Sequence, residues 1–178
     1  NFAAAVKNFS YFINMMKGDK EYEADAWMRV GDCYFMDRNY QKAISAYDNA
    51  VKLDRRGTDY ALFQQGMGYG TLGDMNAKVK SMNELTKTYA TSSFYDRALY
   101  EMGMAYLSTN DERAAIAAFN RLVKERPRSA YARQGQMKIG MLYYNDNQYD
   151  NALSALKKVV DDYPNTEESH EALNIMRN

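Results

Sequence analysis

The chain has 178 residues, 46% of them apolar, and 23 basic residues against 23 acidic ones give a formal net charge of zero. That balance argues against a general nucleic-acid or acidic-membrane binder, whose affinity would come from basic residues displacing counterions. The lone Cys33 excludes an internal disulfide framework, and no apolar run approaches the roughly 20 residues needed to span a bilayer.

Residues 3–17 read as a helix, because Ala5, Phe9, Phe12, Ile13 and Met16 recur at spacings of three and four and share one face. Four of these match Ala115, Phe119, Leu122 and Val123 at a displacement of 110, so the chain opens on the second half of a repeating unit. The first residue is Asn, not Met, and the phase predicts a fragment of a longer array with an apolar face left bare. A first full copy spans about 22–56. Its first helix runs from near Glu23 to Met36, the turn is Asp37-Arg38-Asn39, and its second helix runs from Tyr40 to Leu53. Ala43, Ile44, Tyr47, Ala50 and Val51 are expected inward, and Asp54-Arg55-Arg56-Gly57 ends the helix with Gly57 as cap.

The second copy, about 58–91, turns at Gly73-Asp74, and its second helix carries Val79, Met82 and Leu85. It carries Lys78 where the others carry Ala43, Ala115 and Ala152. A lysine there is expected to lay its stem on apolar surface with its ammonium in water, loosening the joint. The third and fourth copies, about 93–128 and 129–165, are the most regular. Ser92 or Ser93, Ser129 and Thr166 stand where the next helix begins and can cap it, and Pro127 and Pro164 fall in connections where a missing amide hydrogen does no harm. Residues 167–176, with Ala172, Leu173, Ile175 and Met176, read as a closing helix.

What fixes this division is a recurring pair of landmarks. Glycines at 31, 66, 103 and 140 are each followed three residues later by Tyr34, Tyr69, Tyr106 and Tyr143, giving periods of 35, 37 and 37. The skeleton Trp27-x3-Gly31-x2-Tyr34 with Ala43, Tyr47 and Ala50 returns as Leu99-x3-Gly103-x2-Tyr106 with Ala115, Phe119 and Pro127. It resembles the tetratricopeptide repeat, a helix–turn–helix unit of about 34 residues. Val30, Gln65, Met102 and Ile139 replace the leucine that the family places before the glycine. The resemblance implies an all-α fold, a right-handed α-α superhelix of about four helix pairs with a leading and a closing helix, forming a single solenoid over 1–178. The connections 88–92, 125–129 and 162–166 are similar to those of bacterial cell-envelope repeat proteins of the Tol–Pal accessory and outer-membrane assembly lipoprotein type. That likeness implies a periplasmic or cell-envelope setting, with the cytoplasm as the alternative.

In this family the first helix of each copy lines the concave surface, where peptides lie. The position three before each glycine and those one and four after it should face that groove. They hold Met28, Asp32 and Phe35, then Phe63, Met67 and Gly70, then Tyr100, Met104 and Leu107, then Met137, Met141 and Tyr144. The lysine by which chaperone-binding relatives hold a terminal carboxylate is absent, its places being Met28, Phe63, Tyr100 and Met137. A flexible methionine surface re-packs around varied apolar side chains, so the expected function is a protein-interaction scaffold holding an apolar or amphipathic segment. The alternatives are packing between copies in a purely structural spacer, self-association through the end helices, or docking of an enzyme.

No catalysis, cofactor or metal is expected. Gly68-Tyr69-Gly70-Thr71-Leu72-Gly73 spells a dinucleotide fingerprint but has no strand before it. Asp146-Asn147-Gln148-Tyr149-Asp150 lacks the central glycine and closing glutamate of a calcium loop. His170 has no ligand partner at metal spacing, and it stands at the opposite end of the array from Cys33. Cys33 itself is expected to be a small buried hydrophobe, and Lys78, Lys80 and Lys87 make no dense basic cluster.

Overall fold

The computed structural model describes residues 2–54 and 56–177, so Arg55 of the predicted helix end lies outside the described residues. Among the described residues there are ten α-helices and no strand: α1 (Phe2–Met15), α2 (Lys20–Met36), α3 (Tyr40–Leu53), α4 (Asp59–Thr71), α5 (Met75–Thr88), α6 (Tyr95–Ser108), α7 (Glu112–Glu125), α8 (Ala130–Asn145), α9 (Tyr149–Asp162) and α10 (Glu167–Arg177). They group into two compact units, Asn1–Tyr95 and Asp96–Asn178.

Each helix pair is closed by the same device. The left-handed residue after the first helix is Arg38, Gly73, Asn110 or Asn147, with φ of 58°, 83°, 58° and 58°. The amide of the next residue then reaches back to the marker tyrosine's carbonyl: Asn39 to Tyr34 at 2.8 Å, Asp74 to Tyr69 at 3.0 Å, Asp111 to Tyr106 at 2.9 Å and Gln148 to Tyr143 at 2.9 Å. This is the six-to-one bond of a Schellman ending. The same residue then caps the following helix, with Asn39, Asp74 and Asp111 accepting from the amides of Lys42, Ala77 and Ala114. Asparagine and glycine tolerate the left-handed well, but arginine does not. Arg38→Gly should therefore raise stability by roughly 0.5–1 kcal/mol, read as a higher midpoint in a thermal melt.

Of the connections between copies, Ser129 caps α8, its Oγ accepting from the Tyr131 amide at 3.2 Å. Ser92 Oγ instead accepts from the Phe94 amide at 3.1 Å ahead of α6, and so shapes the linker and does not cap the helix. Thr166 and Ser169 cap one another reciprocally, Thr166 Oγ1 taking the Ser169 amide and Ser169 Oγ the Thr166 amide. Gly57 does adopt φ of 72°, but four residues past Leu53, the last residue of α3, with the cap itself at Asp54 in extended backbone. It turns the linker instead of closing the helix.

In unit 1, one core cluster gathers Ala24, Ala43, Tyr47, Ala50 and Ala61, and a second gathers Ile13, Ala26, Val30 and Ala46 with Val6 and Phe9 of α1. Val51 is half-buried. The inward stripe of α1 is thus Ile13, buried, with Val6 and Phe9 half-buried, while Phe12, expected inward, is 39% exposed.

The second copy departs most from expectation. Lys78 is buried, 8% exposed, with its side chain laid over Gly70, whose Cβ would come within 2.9 Å of Lys78 Cδ and 3.4 Å of Nζ. Its partner position holds Gly70 where the other copies hold Phe35, Leu107 and Tyr144. At this position small-over-large has become large-over-small. Gln65, the other departure, is buried and accepts a hydrogen bond from Ser81 Oγ at 3.1 Å, so its carbonyl is satisfied. Met82 and Leu85 beside it have no solvent exposure.

In unit 2, Ala115, Phe119, Ile139 and Ala155 form one cluster and Met137, Leu156, Val159 and Ala172 the other. The buried Gln136 replaces the leucine of the skeleton and donates from Nε2 to the Ala155 carbonyl at 3.0 Å, tying α8 to α9.

Candidate functional site

The first helix of each pair can present a ligand-facing stripe only because its opposite face is pressed hard against the second helix. The marker glycines make that approach. A Cβ on Gly31 would lie 2.5 Å from the Tyr47 ring, one on Gly66 2.7 Å from Met82 Cε, and one on Gly140 2.6 Å from Leu156 Cδ2; one on Gly103 would run into the Phe119 ring. Tyr47, Met82, Phe119 and Leu156 are in consequence almost wholly buried.

In unit 1 the stripe is Met28, Asp32 and Phe35 on α2 with Phe63 and Met67 on α4. Met28, Asp32, Phe35 and Met67 are half-buried, whereas Phe63 is only 3% exposed. Phe63 is covered by the linker ring of Phe94, stacked at 5.0 Å between centroids. Phe35 meets Tyr40 edge-on at 5.1 Å.

Asp32 is engaged from within. Its Oδ1 accepts from Tyr47 Oη at 2.9 Å and Tyr60 Oη at 2.7 Å, while Arg29 Nη1 lies 3.6 Å from Oδ2. Gln64 Nε2 in turn donates to Tyr60 Oη at 2.9 Å. The Tyr47 hydroxyl, fully buried, needs an acceptor, and Asp32 is that acceptor. Burial and then the Asp32 charge and hydrogen bond push the Tyr47 phenol well above its ordinary range; burial and the Asp32 hydrogen bond also raise Tyr60. The neighbouring Cys33 is half-buried, and its thiol is raised by burial and by the Asp32 charge.

In unit 2 the stripe is Tyr100, Met104 and Leu107 on α6 with Met137, Met141 and Tyr144 on α8. Met137 is 4% exposed and belongs to the core beside Leu156 and Val159. Tyr100, Met104, Leu107 and Met141 are half-buried, and Tyr144 is 44% exposed. Tyr100 lies 5.5 Å from the Tyr131 ring and 5.7 Å from Phe119. A shallow cavity of about 180 Å³ opens between Met141, Tyr144, Asn145 and Ile175. A second of about 220 Å³ continues past Tyr144 to Tyr149, Leu153 and Met176. Tyr149 and Leu153, 59% and 53% exposed, were not among the expected site residues. A signal existed: Leu153 follows Ala152 as Ile44 follows Ala43, and Ile44 is buried against Gly68.

The decoys resolve plainly. The glycine run 68–73 finishes α4 and turns the chain, with Gly68 set against Ile44. His170 is exposed on α10. Among the described residues no group of three His, Cys, Asp or Glu side chains could hold a metal ion, and no helix is long and apolar enough to cross a membrane.

Compared with known families, residues 24–56, 97–129 and 134–166, together more than half of the chain, match the tetratricopeptide repeat. The chain belongs to the tetratricopeptide repeat family. The matched stretches correspond to the first, third and fourth copies, with the Gln65–Lys78 copy lying between them. No curated protein matches the sequence. Solved tetratricopeptide structures share the fold. MamA is 20% identical with a TM-score of 0.67, over 90% of this chain and 88% of that one. YrrB, described as a TPR protein with an unusual peptide-binding site, is 14% identical with a TM-score of 0.63, over 100% and 98%. A putative kinesin light chain with nearly identical TPR-like repeats from Podosopora anserina is 12% identical with a TM-score of 0.68, over 93% and 89%. The all-α fold of tetratricopeptide solenoid structures is thus this chain's fold, and it is a fold that supports protein–protein interaction.

Proposed function

We propose that the chain is a non-catalytic scaffold whose methionine–aromatic stripe takes up an apolar or amphipathic segment of a partner protein. The observation that carries this reading is the half-exposed run Tyr100, Met104, Leu107 and Met141, continuous with exposed Tyr144 and the cavity beside it. Unbranched thioethers adapt to varied apolar side chains, and a nearby aromatic supplies rigid contact area. In unit 1 the like face is Met28, Phe35 and Met67. Phe63 and Met137 support the stripe from behind, and Asp32 holds its tyrosines. YrrB's described peptide-binding site agrees with a peptide ligand. No nucleic-acid partner is proposed for a chain of zero net charge, and the linker resemblance favours the cell envelope.

The test is selection of peptides from a random library displayed on phage, followed by binding of the selected peptides to the Met104→Lys/Met141→Lys double variant. Enrichment of apolar or amphipathic helical peptides is expected, with a loss of at least about tenfold in the variant. Enrichment of charged peptides, or binding that the variant retains, would refute the groove. A variant that unfolds assigns both methionines to packing.

A second reading, self-association through the ends, is favoured by one observation. Phe2, Phe12 and Met15 of α1 are 41%, 39% and 66% exposed.

A further inference from the structure

Each repeat sets the residue before its marker glycine against a residue of its second helix. Val30 stands with Ala46, Met102 with Ala118 and Ile139 with Ala155, all apolar and all buried. Val30 and Ala46 share one core cluster, as do Ile139 and Ala155. The second copy alone replaces both members, putting Gln65 against Ser81 at 8% and 6% exposure. Their hydrogen bond uses Gln65 Oε1 and the Ser81 hydroxyl proton. Gln65 Nε2 is left with no protein partner among the described residues, although buried polar groups ordinarily have one. That nitrogen is not sealed in, and Gln65 lines a cavity of about 340 Å³ between α3, α4 and α5 of unit 1. Ligand pockets run from roughly 300 to 1,000 Å³. The cavity uses the Leu62, Gln65 and Tyr69 face of α4, not the face that carries Phe63 and Met67.

We infer that this cavity seats a main-chain peptide group of a partner segment, whose carbonyl accepts from Gln65 Nε2. The rim explains why the occupant is uncharged. Asp48 is paired with Lys52, and Lys80 stands one helical turn from Glu84 on α5, so no net field draws an ion in. Val51, Leu62 and Ala77 offer an apolar wall to the side chain beside that peptide group. The site stands apart from the methionine–aromatic stripe and does not depend on it.

Proton–nitrogen correlation NMR of the 178-residue chain tests this, with N-acetyl-leucine methylamide as probe and sodium acetate and glucose as controls. The leucine amide should shift the Gln65 side-chain amide and the Val51 and Ala77 backbone amides saturably, and the controls should not. Gln65→Ile/Ser81→Ala installs the pair of the fourth copy. It should melt no lower than the parent, since replacing both partners of a buried hydrogen bond is near neutral. It should bind the probe about three- to tenfold more weakly. If it melts lower, Gln65→Met/Ser81→Ala, the pair of the third copy, takes its place. Lower melting of both assigns the polar pair to packing and overturns the site. So does the absence of any shift, the same shifts with acetate or glucose, or a variant that binds as the parent does. Met104→Lys/Met141→Lys should bind the probe like the parent, so failure of the stripe and failure of this cavity are separate results.

Discussion

Replacing Gly103 by alanine should destabilise the protein by about 1–3 kcal/mol, the range for overpacking a filled core. The sign is the informative part, because glycine to alanine inside a helix ordinarily gains about 1 kcal/mol. Here the new methyl would run into the Phe119 ring. That ring has no exposure and no free side to retreat to. Gly135 closes it from α8, where a Cβ would already stand 3.3 Å from Phe119 Cδ1, and the Tyr100 ring lies 5.7 Å away. In a Phe119→Leu background the methyl has room, and the same alanine should become neutral or stabilising. Urea unfolding of the four proteins in this cycle measures the coupling. A Gly103→Ala midpoint above the parent's would mean that the helix pair can spread at no cost, and the account of the marker glycines would fail.

That relation was legible before any coordinates, because it recurs. Gly31 with Tyr47, Gly66 with Met82 and Gly140 with Leu156 repeat one distance in sequence and one contact in space. The turns at 37–39 and 73–74 and the caps at Ser129 and Thr166 were readable for the same reason, being local chemistry within four residues. What escaped was compensation between helices. Lys78 read as a surface lysine because its neighbour in space, Gly70, belongs to the preceding helix and looked like an unrelated gap in the stripe. Phe63 read as groove lining because Phe94, which covers it, sits in a connection between copies. Asp32 read as the groove's one acid, although the hydroxyl that sets Tyr47 apart from Phe119 explains why an acceptor stands there. Each of these needed two residues from different segments considered as one object.

The Asp32–tyrosine cluster carries the second large effect. Asp32→Ala should cost about 1–3 kcal/mol, the usual result of leaving a buried hydroxyl unsatisfied. The cost should shrink when Tyr47→Phe is added, because no hydroxyl then remains to desolvate. Asp32→Asn keeps a carbonyl acceptor and should fall nearer the parent. The same cluster sets an alkaline limit. Below about pH 10, the ordinary tyrosine value, Tyr47 is neutral in both folded and unfolded chains and its contribution is intact. Above it the unfolded phenol ionises while the folded one stays protonated, since burial and the Asp32 charge raise it. Stability therefore falls as pH rises past 10, by about 1.4 kcal/mol per pH unit for this tyrosine, with Tyr60 adding in the same direction. Denaturant midpoints measured from pH 8 to 11.5 on the parent and on Tyr47→Phe would show it, the variant losing stability less steeply. Parallel slopes would mean that Tyr47 ionises in the folded state as readily as in the unfolded one, and that the carboxylate does not hold its proton in place.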